Sequence, residues 1–260
     1  MKVYIITDME GISGIRKQEQ VQRDQPEYQP ARRLLGGDIN AAIAGAFEGG
    51  ATEVVVNDGH GGGFNLIIEE MDPRAVYETP NTGLDMLPAL DESFDAMFCV
   101  GYHAMAGTLN GFLDHTQSSA SWFDFRINGR RVGELGQNGF WAGHYQVPIV
   151  LVTGDQAACD EAREFFGDIE TVAVKQGIGR QRARCLHPER AQALIREAAT
   201  RAMALRERIP PLKADLPATI QLEYYRSDMA DSVAMRPGTR RVDARTVERV
   251  VDDIRLMMSF

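Results

Sequence analysis

The strongest constraint on the fold is an alternation of two periods along the chain. Short apolar runs rich in β-branched residues recur at Val3 to Thr7, Glu53 to Val56, Ala75 to Tyr77, Ala96 to Val100 and Ile149 to Val152, interleaved with longer segments of helical spacing. From Ala31 to Phe47 the residues Leu34, Leu35, Ile39, Ala42, Ile43 and Ala46 recur three and four apart, and Gly49-Gly50 stops the helix they predict. Val132 to His144 reads as another helix despite its glycines. Trp122 to Ile127, ended by Asn128-Gly129, reads as a hairpin or edge strand. The alternation predicts an α/β fold with a mainly parallel sheet sandwiched by helices. Ligands gather at the carboxyl ends of the strands in such a sheet.

After Val174 the pattern changes. Pro188 to Arg208 is a charged amphipathic helix, and Pro210, Pro211 and Pro217 interrupt the chain beyond it. A boundary near Cys185 would divide a main domain, 1–185, from a smaller C-terminal α/β unit, 186–260, with a strand at Ala218 to Glu223 and a closing helix from Thr246 to Met258. With 44% hydrophobic and 25% charged residues, the 260-residue chain is neither disordered nor collagen-like. Its net charge of −9 is spread out rather than blocked, so no basic face for nucleic acid is expected. The longest apolar stretches, such as Val147 to Val152, fall far short of the roughly 20 residues that span a bilayer. Met1 to Thr7 is too brief for a signal-peptide core and is cut off by Asp8. Cys99, Cys159 and Cys185 include no Cys-x-x-Cys pair, which fits reduced thiols in the cytoplasm.

Chemistry concentrates at the strand ends. Asp8 and Glu10 follow the first strand two residues apart, so both carboxylates project from one side of an extended chain and could reach one cation; the plainer alternative is a loop cap at Asp8 and a solvated Glu10. Asn57-Asp58-Gly59-His60-Gly61-Gly62-Gly63 follows the second strand. It fails as a dinucleotide fingerprint, because Phe64 stands where the third glycine is needed. Gly177 and Gly179 fail likewise, with Arg182 in the third place. Ala96 to Val100 runs into Gly101-Tyr102-His103, and His115 lies soon after. Glu134 opens a helix between Gly133 and Gly136, small neighbours that would let it approach a crowded site, although taken alone it reads first as an acidic residue favoured by the helix dipole in a first turn. His144 and His187 occupy a helix end and the position before Pro188, where surface or packing roles suffice. Tyr102 and Asn57 are read first as packing and turn residues.

Asp8-Met9-Glu10-Gly11, Asn57-Asp58-Gly59-His60, Gly101-Tyr102-His103, His115, and Asn128-Gly129 followed by Val132-Gly133-Glu134-Leu135-Gly136 together resemble the signature blocks of the bacterial zinc-dependent D-aminopeptidases associated with dipeptide-transport operons. The order and approximate spacing match from Met1 to about Gln176, and more weakly beyond. The resemblance implies a two-zinc site: Asp8 bridges both ions, Glu10 and His103 complete one, His60 and Glu134 complete the other, and His115 is the catalytic histidine. It also implies short-peptide substrates with a D residue at the N-terminus, and a homo-oligomer, a ring-stacked decamer. Two features depart from the family pattern. The interval from His103 to His115 can be a residue shorter there, and the position of Asp114, which bears on substrate preference, need not be acidic.

The chemistry is coherent in its own terms. Imidazole and carboxylate are ligand types that Zn²⁺ takes, whereas an all-oxygen set suits Mg²⁺. Paired ions roughly 3.5–4 Å apart can acidify a water towards ~7 and polarise a scissile carbonyl. His115 could shuttle a proton to the leaving amine or stabilise the oxyanion. A nucleophilic histidine is the third option, although a metal-activated water makes a covalent step unnecessary. The chain is therefore expected to be a dizinc aminopeptidase acting on short peptides or amino acid amides. The rivals are a Mg²⁺-dependent phosphohydrolase using Asp8 and Glu10, which the histidines count against, and a noncatalytic small-ligand binding protein with a structural metal.

Overall fold

The structure, a computed structural model, describes residues 1–79 and 85–260. Among these, β1 (Lys2–Thr7) leads through α1 (Tyr28–Glu48) to β2 (Glu53–Asp58), β3 (Val76–Tyr77) and β4 (Ala96–Tyr102). The hairpin β5 (Trp122–Ile127) and β6 (Arg130–Arg131) precedes α2 (Glu134–His144). Then come β7 (Ile149–Asp155), α3 (Gln156–Phe166), β8 (Glu170–Gly179), β9 (Arg182–Cys185) and α4 (Pro188–Ala202). β10 (Ala218–Tyr224), α5 (Ser227–Ala234), β11 (Thr239–Arg241) and β12 (Thr246–Val251) complete the chain.

The main sheet has the order β3-β2-β1-β4-β7-β8-β9 and is parallel except for β9. β4 and β7 are buried along their whole length and most of β1 with them, as expected for strands covered on both faces. The sheet grows in opposite directions from β1 to β2 and from β7 to β8. Right-handed crossovers therefore put α1 and α3 on opposite faces. α4 packs on α1, so closely that a Cβ at Gly45 would fall 2.3 Å from the Arg196 carbonyl oxygen. α2 packs on α3. The α/β fold with a mainly parallel, helix-flanked sheet is the one the alternating periods predict.

A second sheet, antiparallel in the order β11-β12-β10-β5-β6, joins strands from before and after residue 185. The closing helix expected over Thr246 to Met258 is instead β12, followed by a single 3₁₀ turn at Ile254–Leu256. β12 lies between β11 and β10, with Val247 facing Leu222, and this pairing overrides the local spacing. The amphipathic helix expected from Pro188 to Arg208 ends at Ala202, and Val132 to His144 becomes helical only from Glu134. No helix among the described residues is long and apolar enough to cross a membrane.

Candidate metal centre

β1 is the point at which the sheet changes its direction of growth: β2 and β3 add on one side, β4 on the other. A crevice for ligands forms outside the carboxyl ends of strands at such a point. The chain continues to pair beyond the end of β1, with Asp8 N donating to Val100 O and Gly11 N to Gly101 O, both at 2.8 Å. Only glycine permits this approach. A Cβ at Gly11 would lie 2.0 Å from Tyr102 O, and one at Gly101, whose φ is +82°, would lie 2.2 Å from Asp8 O. Asp8 and Glu10 are thereby held against His103.

After β2, the Asp58 carboxylate accepts hydrogen bonds from Asn65 N (2.5 Å) and Asn65 Nδ2 (2.7 Å), and Asn65 Nδ2 also donates to His60 O (2.7 Å). This clamp closes the glycine-rich turn and swings His60 over Asp8. Glu134 arrives from the second sheet. Asn128 and Gly129, with φ of +50° and +80°, turn the β5–β6 hairpin, which feeds α2 at its first residue. Gly133 lets that helix start against the loop after His103, since a Cβ there would meet Met105 Cβ at 2.7 Å.

The six residues singled out in the sequence meet. His60 Nδ1 lies 3.1 Å from both Asp8 Oδ1 and Glu10 Oε2. His103 Nε2 lies 3.1 Å from Asp8 Oδ2 and 3.5 Å from Glu134 Oε1, and His115 Nε2 lies 3.6 Å from that same Glu134 oxygen. Donor atoms of Asp8, Glu10 and His103 fall within 4.8 Å of one another, as do those of His103, His115 and Glu134. His144 faces Asp253 at 3.8 Å, and His187 stands at the N-cap position of α4 without a side-chain capping bond. Neither joins the cluster.

The imidazole orientations identify the kind of ligand the cluster suits. Each ring turns its outer nitrogen to a main-chain carbonyl: His60 Nε2 to Val21 O (2.8 Å), His103 Nδ1 to Ala104 O (3.0 Å) and His115 Nδ1 to Leu113 O (2.8 Å). A neutral ring donating there carries a lone pair on its inner nitrogen, and that nitrogen faces carboxylate oxygens. Lone pairs facing anions require a cation between them, a proton or a metal ion, and an outer hydrogen bond of this type orients metal-ligating histidines. Asp8 Oδ2, Glu10 Oε2 and His103 Nε2 are buried without a hydrogen-bond partner among the described residues. The residues fit a metal centre of mixed nitrogen and oxygen donors.

The electrostatics show the same demand for positive charge between the rings and the carboxylates. Burial pulls the pKa of His60 and His103 down, but Glu10 and Asp8 beside the first, and Glu134 and Asp8 beside the second, outweigh it and hold both well above the usual imidazole range. Burial raises Asp8, yet the facing imidazoles of His103 and His60 bring it well below the ordinary carboxylate range. Glu134 is lowered in spite of its burial, by the charge of His103.

A cavity of about 400 Å³ opens over these groups, lined by Asp8, Glu10, His60, His115 and Glu134 among others. An adjoining cavity of about 250 Å³ shares Asp8, Gln117 and Glu134 with it. Asn57 donates to Tyr4 Oη (2.8 Å) and Asn138 to Tyr102 Oη (2.7 Å), so Asn57 and Tyr102 both take part in buried side-chain hydrogen bonds. Three supporting residues escaped the sequence reading. Gln117 N donates to Glu134 Oε1 at 2.7 Å. Lys175 Nζ donates to the carbonyls of Glu10 (2.6 Å) and Ile15 (2.9 Å), and burial pushes it down to about 8. Glu161 Oε2 accepts from Met105 N at 2.8 Å, and burial raises it to about 7. The one available signal was a lysine beside the inward valines of an apolar run.

A protein-family model described as D-aminopeptidase matches residues 1–260. A D-aminopeptidase of Bacillus subtilis (strain 168) is 36% identical over 240 residues, which is 92% of this chain and 87% of the relative. A solved structure, described as the Zn-dependent D-aminopeptidase DppA from Bacillus subtilis, a self-compartmentalizing protease, is similar with a TM-score of 0.96 and 33% identity, over 100% of this chain and 94% of that one.

Proposed function

Because the chain belongs to the D-aminopeptidase family and is a zinc-dependent aminopeptidase, we propose that Asp8, Glu10, His60, His103 and Glu134 hold two zinc ions, with Asp8 shared, and that the enzyme releases an N-terminal D residue from short peptides. The observation that supports this most is the common orientation of the imidazoles, outer nitrogen to a carbonyl and inner nitrogen to the carboxylates. Zinc bound there supplies Lewis-acid polarisation of the scissile carbonyl and acidifies a water towards ~7.

His115 performs the proton work in this reading. Its Nδ1 is committed to Leu113 O, which leaves Nε2 as the basic atom on the cavity side. That nitrogen accepts the proton of the attacking water and delivers it to the leaving amine. The Nδ1 contact with Leu113 O keeps the ring aligned, while Glu134 Oε1, fixed by Gln117 N, faces Nε2 at 3.6 Å. Lys175 anchors the main chain that carries Glu10, so the donors are set before substrate arrives.

The similar DppA structure is described as self-compartmentalizing. We carry that over as a proposal: a cytoplasmic homo-oligomer, a decamer, that restricts its active sites to short peptides. The test pairs D- and L-aminoacyl dipeptides on the zinc-loaded enzyme with light scattering of the same sample. Faster cleavage of the D substrate by a large oligomer is expected. Preference for the L substrate, or a monomer of about the chain mass of 28.8 kDa, would contradict the respective part.

A further inference from the structure

The cavity lined by three acidic residues, Asp8, Glu10 and Glu134, is also lined by Arg180. Arg180 lies in the turn between β8 and β9, and two contacts seat that turn on the loop carrying His115. A Cβ at Gly177 would fall 1.9 Å from Asn110 O, so the strand end presses directly on the loop backbone. The Arg180 carbonyl accepts from Leu113 N at 2.7 Å.

Its side chain is held on one edge only. Nε faces the Asp114 carbonyl oxygen at 3.4 Å and Asp114 Oδ1 at 3.6 Å, while Asp114 Oδ2 accepts from Gly107 N at 2.7 Å. Asp114 is thus fixed and orients the guanidinium by its inner nitrogen. Neither Nη group has a hydrogen-bond partner among the described residues, and the side chain, 41% exposed overall, is among those that line the cavity. A permanently charged, oriented fork with two open donors matches a carboxylate in the bidentate manner.

Resting on the aminopeptidase reading of this cavity, we propose that Arg180 binds the C-terminal carboxylate of the substrate, making the enzyme selective for short peptides with a free C-terminus. A peptide has its scissile bond next to the N-terminus, and its carboxylate is one residue further on in a dipeptide. A dipeptide spans only about 7 Å. The two ends of such a substrate then meet the two kinds of charge in one cavity: zinc-binding carboxylates at the reacting end and a guanidinium at the other. Arg180 is a specificity residue here. It leaves the bond-breaking step to the metal centre and His115.

The experiment compares a D-aminoacyl dipeptide with its C-terminal amide, on zinc-loaded enzyme, in wild type, Arg180→Met and Arg180→Lys. Wild type is expected to prefer the free acid by about 10- to 100-fold in kcat/KM, carried mainly by KM, as the loss of a charged hydrogen-bonded pair predicts. The ratio should fall close to one in Arg180→Met and take an intermediate value in Arg180→Lys, which keeps the charge and loses the fork. A wild type that cleaves acid and amide equally overturns the inference alone, and it does so even if Arg180→Met does not fold. An unchanged ratio in either variant also overturns it. Equal loss on both substrates would mean that Arg180 supports the His115 loop or the oxyanion instead. Cleavage of neither substrate by wild type would overturn the parent reading, and this inference with it.

Discussion

His103 and His115 stack face to face, with ring centroids 3.9 Å apart and planes within 15° of parallel, and both turn Nε2 to the same oxygen of Glu134. Their surroundings differ. His103 is 2% exposed and also touches Asp8, whereas the His115 side chain keeps 14% of its surface open on the cavity side. One geometry thus separates a ring suited to holding an ion from a ring suited to meeting substrate.

His115→Ala is therefore expected to keep its zinc and its melting temperature while kcat falls by about 10²–10⁴-fold, with KM little changed. Zinc content, Tm and kcat measured on one preparation check this. Full metal with near wild-type turnover would leave the histidine without a chemical role. A Tm loss larger than the kcat loss would make it a packing residue under the loop after His103.

Asp8→Ala acts on the other half of the stack. Asp8 presents Oδ1 to His60 and Oδ2 to His103, so its removal should lower the occupancy of both metals together. Stability should fall as well, because ion binding contributes to folding free energy. Chelator should lower the Tm of wild type and leave that of Asp8→Ala almost unmoved in a thermal scan. A variant that retains one firmly bound zinc would mean that Asp8 is not shared.

Lys175 sets a pH dependence whose sign is fixed by burial. Its pKa is pushed down from 10.5 to about 8 by desolvation, with nearby Cys185 and the carboxylates of Asp155 and Asp38 opposing. Between these values the folded protein has released a proton that the unfolded chain still holds, so stability rises with pH through the window. The contribution is complete above 10.5 and is lost as pH falls through about 8, about 3 kcal/mol in all. Urea midpoints from about pH 7.5 to 10 should rise more steeply in wild type than in Lys175→Met. Parallel curves would contradict the assignment.

Much of this was legible in the sequence because the site is local. Asp8, His60 and His103 each lie within two residues of a strand's end, and strands reveal themselves by composition. The stretch from Thr246 to Met258 was misread for a physical reason. Val247, Val251, Ile254 and Met257 are spaced four and three apart, as on a helix, yet Val247 and Val251 pair with Leu222 and Ala218 of β10, 25 and 33 residues earlier in the chain. Local period cannot register such a partner. α3 and the β8–β9 hairpin went unnoticed, and with them Glu161, Lys175 and Arg180, whose positions near the site depend on contacts with loops 56 to 165 residues distant. The second sheet was hidden in the same way, because β5 lies 93 residues or more from the β10 residues it pairs with.

The central claim is a centre of five protein donors that holds two zinc ions. Its most direct test is to strip the enzyme of metal and add zinc back in measured equivalents, following hydrolysis of a D-aminoacyl dipeptide and bound zinc by elemental analysis. The account expects activity to climb to a plateau at close to two equivalents per chain. A plateau at one equivalent, or activity that magnesium restores on a phosphate ester and zinc does not restore on the peptide, would contradict it.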